Sequence, residues 1–273
     1  MRAYRVAYDG QPYHGFQRQP DPGVATVGNA LLDGLLDLGI IDDDGNTPDG
    51  YAAAGRTDAG TSALAQTVAF AAPEWLSPSA FNGVLPGDIR VWASAPASAA
   101  FHATHDATAR EYTYFLHAPA AIEQRARKAL DALAGEHDLH NLTPDDEGTV
   151  REIETVLTRD GPFLVVMVRA GGFPRQFVRR LVTVVGEVAR GDAGMERIDR
   201  VLAEAPLSGP EGVPPAPAEP LVLSGVSYPG LAFTVDDDAL AAARSFFADR
   251  HAERAAGARV AAALSTAGGA GKS

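Results

Sequence analysis

The sequence predicts an α+β fold built from two tandem halves, each with the element order β-α-β-β-α-β. Segments of alternating apolar and polar residues, typical of half-buried strands, recur and stop at turn residues such as Asp9-Gly10. Between them lie longer segments whose apolar residues recur at three- and four-residue spacing, as on one face of a helix. Because this succession occurs twice, we expect two ferredoxin-like halves that share a mixed, mostly antiparallel sheet, with a cleft between the halves.

The first half begins with residues 4–8, which alternate as a strand. Thr26 is placed to cap a helix that carries a leucine stripe as far as Leu38 and ends at Gly39. The other elements expected here are an acidic loop at 42–50, strands at 51–54 and 67–71, a short helix at 78–84 and a strand at 89–92.

The second half repeats the order. Phe173-Pro174 is expected to open its second helix, because proline is tolerated at the first helical position, and Gly191 to end it. The other elements expected are a strand at 111–116, a helix at 122–134, strands at 151–158 and 162–170, a proline-rich loop or arm from Pro206 to Pro220, a strand at 221–226, a helix at 237–264 and a disordered tail at 268–273.

This order predicts three divisions of the chain. Residues 1–104 form the first half, residues 105–235 form the second, and residues 236–273 form a C-terminal helix and tail.

Composition excludes several classes of function. The 273 residues contain no cysteine, which excludes disulfides, thiolate metal sites and cysteine nucleophiles. No apolar segment has the length of a membrane span, and no signal-type segment follows Met1, so we expect a soluble cytoplasmic protein without membrane association. His102/His105 and His137/His140 have a spacing that can ligate a metal, but no acidic cluster accompanies them, and we predict no metal site.

The charge indicates a protein adapted to multimolar salt. The net charge is −12, and among 23 basic residues only Lys128 and Lys272 are lysines. An acidic protein is ordinarily a poor candidate for binding nucleic acid. At about 1 M salt, however, the Debye length is only about 3 Å, so net charge does not exclude a nucleic-acid substrate.

A glycine-bracketed turn at residues 55–60 carries Arg56 and Asp58 two residues apart. Apolar segments on both sides indicate that it joins two strands. From the spacing alone, the charged pair is equally consistent with a structural ion pair and with the centre of an active site. An aspartate next to a fixed cation stays ionised, which suits a nucleophile or a base.

Three further clusters could complete such a site. Tyr112 and Tyr114 alternate on one strand after Arg110, and so share a face on which a base could stack. Arg175 and Arg179 are four residues apart, on the same side of the helix expected there, and could contact phosphate or a carboxylate. Residues 8–19 mix aromatic, amide and arginine side chains in a loop, a composition suited to RNA.

Taken together, these clusters resemble the TruA-type tRNA pseudouridine synthases, in a form typical of archaea with a halophilic host. The resemblance spans about 90% of the chain, and its most specific part is the Gly-Arg-Thr-Asp-Ala-Gly turn. The matching elements, in the family's order, are Tyr8-Asp9-Gly10 with Tyr13-x-Gly15-Phe16-Gln17-x-Gln19, Gly55-Arg56-Thr57-Asp58-Ala59-Gly60, Asn82-x-x-Leu85-Pro86-x-Asp88-Ile89, Phe101-His102-Ala103, Arg110-x-Tyr112-x-Tyr114 and Phe177-Val178-Arg179.

The resemblance implies the pseudouridine synthase fold and an isomerase acting on uridines at positions 38 to 40 of the tRNA anticodon stem-loop, as a homodimer without a cofactor. It implies that Asp58 is the catalytic aspartate, that Tyr112 stacks on the target uracil and that Arg179 pairs with Asp58. Arg56 is then expected to hold the tRNA backbone and the displaced nucleotide. Four positions depart from the commonest family pattern and receive no role, namely Ser62, Thr104, Phe177 and Pro220.

Two other functions are weighed against this one. A non-catalytic RNA-binding module would not need Asp58, and a metal-dependent phosphoryl hydrolase would need a second acidic cluster that the sequence does not show. The start of the chemical step stays open as well. The carboxylate could add to C6 of uracil, attack C1′ of the ribose or abstract the C2′ proton.

Overall fold

A single continuous β-sheet runs through the protein, here a computed structural model that describes residues 1–21, 23–42 and 46–266. In this part of the chain the strands are β1 (Arg2–Tyr8), β2 (Ala52–Ala53), β3 (Ser62–Phe70), β4 (Ile89–Pro96), β5 (Ala109–His117), β6 (Gly135–Asp138), β7 (Val150–Asp160), β8 (Phe163–Ala170), β9 (Leu221–Ser227) and β10 (Thr234–Val235). The α-helices are α1 (Val27–Asp37), α2 (Pro78–Asn82), α3 (Glu123–Leu133), α4 (Phe177–Arg190), α5 (Glu196–Val201) and α6 (Asp237–Ser265).

The strand order confirms the predicted fold class. Across the sheet the order is β10-β4-β1-β3-β9-β5-β8-β7-β6, and β2 pairs with β3 beside β9. The first half therefore has the order β4-β1-β3-β2 and the second has β9-β5-β8-β7, which is the same ferredoxin-like arrangement. The halves meet where β3 pairs in parallel with β9, at Ser62↔Val222 and Ala63↔Leu223, and every other pairing is antiparallel.

Each half buries its helices against one face of its part of the sheet. In the first half Tyr4, Val6 and Tyr8 alternate toward the core that α1 and α2 cover. In the second half the inward residues of β8 meet the apolar sides of α3 and α4. Tyr112 packs against both cores, so it marks the seam between the halves.

The helix boundaries agree with the sequence where a capping side chain sets them. Thr26 is the N-cap of α1, and its Oγ1 accepts a hydrogen bond from Asn29 N at 3.1 Å. Such a cap contributes about 1 kcal/mol. Asp236 caps α6 through Ala239 N in the same way, and α6 confirms the helix expected at 237–264.

The helix expected to open at Phe173-Pro174 begins instead at Phe177, so that prediction was wrong. Asp145 Oδ2 accepts the backbone N–H of Arg175 at 2.8 Å, and Thr143 Oγ1 donates to the carbonyl of Arg175 at 3.0 Å. These bonds hold the chain out of the helix. Gln176 follows with φ of 58°, the one positive value at a non-glycine residue in the described part of the chain.

The prediction that Arg175 and Arg179 lie on the same side of one helix is therefore wrong too. Arg175 precedes α4, and its side chain forms an ion pair with Asp145. The backbone and side chain of Arg175 both bond to this carboxylate, and they hold its pKa below the usual range.

The strand after the glycine-bracketed turn is longer than predicted, since β3 starts at Ser62 rather than at residue 67. It pairs with β1 from Arg2↔Phe70 to Tyr8↔Ala63, so the turn leads directly into a fully paired strand. The expected acidic loop lies partly, and the expected disordered tail wholly, outside the described residues.

The C-terminal segment returns to the first half. Strand β10 pairs with β4, and α6 packs on β4 and α2. Near the end of α6, Arg254 forms an ion pair with the buried carboxylate of Asp9. The division of the chain at residues 104/105 and 235/236 stays a prediction.

Candidate active site

The structure brings the four site residues predicted from the sequence to one cleft of about 720 Å³. Asp58 comes from the turn between β2 and β3, Tyr112 from β5 and Arg179 from the first turn of α4. Arg56 lies on the same turn as Asp58, is exposed, and forms no hydrogen bond or ion pair with any described residue. The cleft is thus lined by elements from both halves.

Asp58 and Arg179 form an ion pair across the cleft. Arg179 Nη1 donates to Asp58 Oδ2 at 2.9 Å, and the side chains are 16% exposed for the arginine and 39% for the aspartate. Arg179 Nε donates to the carbonyl of Ala216 at 2.6 Å, and Ala216 N donates back to the carbonyl of Arg179 at 3.2 Å. Ala216 belongs to the proline-rich segment, so this segment fixes the guanidinium that faces Asp58.

Tyr112 has an environment that keeps its phenol neutral. Burial raises the pKa of Tyr112 to about 12, the Asp58 carboxylate adds to the rise, and Arg110 opposes it. The ring meets Phe173 edge to face, with centroids 5.3 Å apart and planes at 77°. At working pH Tyr112 therefore offers the cleft an aromatic surface and a neutral hydroxyl.

The loop before α1 is hydrogen-bonded to the turn that carries Asp58. Phe16 N donates to Thr57 O at 3.1 Å, and Gly60 N donates to Tyr13 O at 3.2 Å. The hydroxyl of Thr57 bonds to that of Tyr8 at 2.8 Å. Backbone bonds from a neighbouring loop therefore set the position of the carboxylate on its turn.

Gly15→Ala tests this support. Gly15 has φ of 94°, and an added Cβ would lie 2.8 Å from Thr57 O, next to Asp58. We expect a loss of stability above the roughly 1–2 kcal/mol cost of a left-handed residue, together with lower turnover. Gly39→Ala is the matched control, because Gly39 has φ of 66° and nothing within 4 Å. Equal turnover in the two variants, measured beside their unfolding midpoints, would contradict a role for Gly15 in placing the turn.

Arg110 joins three segments next to the cleft by hydrogen bonds to their backbone carbonyls. Its Nε and Nη2 donate to Ala54 O at 2.9 and 2.6 Å, just before the Asp58 turn. Nη2 also donates to Thr104 O at 2.7 Å, and Nη1 donates to Gly171 O at 2.7 Å, ahead of α4. In the sequence, Arg110 was noted only as part of the Arg110-x-Tyr112-x-Tyr114 element. Its role depends on carbonyls far apart in the chain, which no local pattern reveals.

Arg110→Met is expected to lower stability by about 2–3 kcal/mol, since hydrogen bonds from a charged group are lost and carbonyls are left unpaired. Turnover should fall with it, and Arg110→Lys should recover little, because one ammonium cannot replace the planar fork. Arg169→Met is the control, as its exposed pair with Glu154 contributes about 0–1 kcal/mol. Chemical unfolding and single-turnover rates measure both. If Arg110→Met were as stable and as active as the control, Arg110 would have no role in joining these three segments.

The cleft is cationic in a strongly acidic chain. Among the described residues, its lining contains four arginines, Arg18, Arg56, Arg175 and Arg179, and one carboxylate, that of Asp58. The net charge of the whole chain is −12. The arrangement can therefore hold an anionic polymer next to the carboxylate of Asp58. Over the described residues, no group of three or more histidine or acidic side chains is placed to hold a metal ion.

The positions that depart from the family pattern all make contacts near the cleft. Ser62 Oγ accepts from Gly10 N at 3.0 Å, and Thr104 Oγ1 donates to Ala53 O at 2.6 Å. Phe177 is buried and stacks on Phe173 with centroids 5.9 Å apart. The carbonyl of Pro220 accepts from Phe115 N at 3.1 Å. Each residue present thus has a structural contact of its own.

Comparison with known proteins gives one consistent family. A family model described as tRNA pseudouridine synthase matches residues 129–229. The chain is 58% identical to tRNA pseudouridine synthase A of Haloarcula marismortui over 270 residues, which covers 96% of this chain and 98% of the relative. It is 58% identical to the protein of the same name from Natronomonas pharaonis, with coverage of 97% and 99%. The corresponding protein of Halobacterium salinarum is 56% identical, with coverage of 97% and 98%.

These relatives come from halophilic archaea, which agrees with the host predicted from the charge. Among solved structures, the archaeal box H/ACA Nop10-Cbf5 complex matches at 13% identity and a TM-score of 0.35, over 68% of this chain and 43% of that one. A TM-score of this size does not by itself establish a shared fold.

Proposed function

The chain belongs to the tRNA pseudouridine synthase family, and on that premise we propose that it modifies uridine in the tRNA anticodon stem-loop, at positions 38 to 40, with Asp58 as the reacting carboxylate. Enzymes of this family are isomerases that turn uridine into pseudouridine. The N1–C1′ bond breaks, the base rotates and a C5–C1′ bond forms. The hydrogen at C5 leaves to solvent, and one is placed at N1.

The observation that carries the proposal is the ion pair of Asp58 and Arg179 inside a cationic cleft. Arg179 Nη1 lies 2.9 Å from Asp58 Oδ2 and fixes the carboxylate in the cleft, where all three possible first steps would use it. Addition to C6, attack at C1′ and removal of the C2′ proton each use one carboxylate oxygen. Asp58 Oδ2 accepts from Arg179, so Oδ1 is the oxygen proposed to react.

Tyr112 is proposed to receive the uracil. A uridine in a paired stem has to leave the stack, at a cost of a few kcal/mol, before a side chain can reach it. Stacking on the ring of Tyr112 offsets part of that cost, since base–aromatic stacking contributes about 1–3 kcal/mol. Phe173 supports this ring from its edge.

Arg56 is proposed to hold the tRNA backbone and the displaced nucleotide. It is exposed on the turn that carries Asp58, and no described residue pairs with its guanidinium. Phosphate contacts of this kind position a nucleic acid without reading its sequence.

The remaining parts of the proposal are a homodimer, a cytoplasmic location and catalysis without a cofactor. The homodimer and the absence of a cofactor are what the family resemblance implies, and the cytoplasmic location is inferred from a sequence without a signal-type or membrane-spanning segment. Across the described residues, the helices include none that is long and apolar enough to cross a membrane.

The test is tritium release from tRNA transcripts labelled with [5-³H]uridine, in concentrated potassium chloride. We expect release from transcripts with uridine at position 38, 39 or 40, and none after cytidine replaces uridine at all three. Release that persists after this replacement would exclude the anticodon assignment. Tight binding with no release from any transcript would exclude the enzyme and favour an RNA-binding module.

A further inference from the structure

We propose that His102 and His105 form a stacking site for an unpaired nucleobase that neighbours the target uridine. The inference rests on the proposed function, because it gives the cleft a second RNA contact beyond the reacting nucleotide. Both histidines line the cleft that contains Asp58, and both are exposed. Their spacing drew attention in the sequence only as a possible metal pair.

The two imidazoles are already in close ring contact. Their ring centroids are 4.2 Å apart, and the planes are tilted by 34°. Exposed aromatic rings of this kind bind bases that have left a helix, and histidine is among the side chains that single-stranded RNA stacks on. The pair extends the aromatic surface of the cleft beyond Tyr112 and Phe173.

The turn that carries the histidines is held in place before any ligand arrives. Asp106 Oδ2 accepts the backbone N–H of His102 at 2.8 Å, and Thr104 Oγ1 donates to Ala53 O at 2.6 Å. The hydroxyl of Tyr228 donates to Ala103 O at 2.6 Å. A fixed turn loses little conformational entropy on binding, so more of the stacking energy appears as affinity.

The ring nitrogens favour a base over a metal. His102 Nδ1 accepts from Thr104 N at 3.2 Å and from His105 N at 3.4 Å. This leaves the proton of the neutral ring on Nε2, which then offers a donor and not a metal lone pair. The imidazole of His105 makes no hydrogen bond to any described residue, so both of its nitrogens are available to a base or a phosphate.

The position of the pair indicates which nucleotide it takes. Thr104, between the two histidines, bonds through its side chain to Ala53 and through its carbonyl to Arg110. Ala53 lies in β2, at the start of the segment that leads to Asp58. When the target uridine of an RNA strand faces Asp58, the histidines therefore contact a nucleotide that lies close to that uridine in the RNA sequence.

Binding of a fluorescein-labelled anticodon stem-loop to an Asp58→Asn parent, followed by anisotropy in concentrated potassium chloride, tests the site. We expect His105→Ala to weaken binding about tenfold, within the range for one stacked base. His105→Phe should bind within about twofold of the parent, because the ring is kept. His251→Ala is the control, since His251 is exposed on α6 and does not line the cleft.

Abasic substitutions in the loop of the RNA then identify the base. At one position the abasic RNA should bind the parent and His105→Ala equally, while at the others the tenfold difference should remain. Parent-like binding by His105→Ala, or a difference that persists at every abasic position, would each overturn the site. Tritium release by the wild-type protein is measured in parallel, so failure of this site is distinguished from failure of the proposed reaction.

Discussion

Asp58→Asn is expected to abolish tritium release and to leave tRNA binding close to that of the wild type. The amide has nearly the same shape as the carboxylate, and its oxygen can still accept from Arg179 Nη1, so the turn should stay in place. The amide is neither a base nor a nucleophile at neutral pH. If Asp58 acts only as a base, the rate should fall by about 10²–10⁴-fold. If its carboxylate forms a covalent bond, no release should be detectable.

The control for this variant is Asp192→Asn. Asp192 forms an exposed ion pair with Arg190 and does not line the cleft, so release should continue. Single-turnover release and anisotropy with the same stem-loop measure both variants. Wild-type release by Asp58→Asn would exclude Asp58 as the reacting group. If Asp58→Asn lost both RNA binding and tritium release, the role of Asp58 would be structural and not chemical.

Tyr112→Ala is expected to lose most of its turnover, whereas Tyr112→Phe keeps most of it. Burial raises the pKa of Tyr112 to about 12, so the phenol is neutral at working pH, and the role proposed for Tyr112 rests on its ring. Loss of one base stack corresponds to about 1–3 kcal/mol, or roughly 5- to 150-fold in rate when stacking holds the uridine in the reacting position.

Tyr112→Leu is the matched variant for packing. Tyr112 touches the cores of both halves, so removing its ring also creates a void, and leucine fills part of that void without offering an aromatic face. Turnover of the leucine variant should therefore resemble that of alanine, while its unfolding midpoint should be higher. A fully active alanine variant would refute the stacking role.

The fold was predictable because its signals are local. Alternation in β1 and β5, the cap at Thr26 and the glycine at the end of α4 each act within a few residues, and each predicted element formed. The start of α4 was not predictable, because Asp145 and Thr143 hold Arg175 from 30 and 32 residues away. The extent of β3 was missed because its pairing with β1 outweighs the weak apolar pattern of residues 62–66.

The site, like the fold, has residues that local sequence patterns predict and residues that only long-range contacts reveal. Asp58, Tyr112 and Arg179 stand in short patterns that resemble one family when taken together, so they could be predicted, and the cleft contains all three. Arg110 and the stacked histidines depend on contacts that join separate segments, and their neighbours in sequence give no sign of these contacts. The carbonyl of Ala216 that holds Arg179 was missed for a further reason, since a backbone acceptor has no signature in the side-chain sequence.

The ion pair between Asp58 and Arg179 joins residues 121 positions apart. The strand ladder that joins the two halves, between β3 and β9, consists of two parallel residue pairs. The hairpin of β7 and β8, by contrast, closes over a two-residue turn. Contacts between distant residues form late, because closing a long loop costs entropy before the contact is made. During refolding, helix and sheet signals should thus recover before activity does, and the appearance of turnover marks the moment at which the two halves have docked.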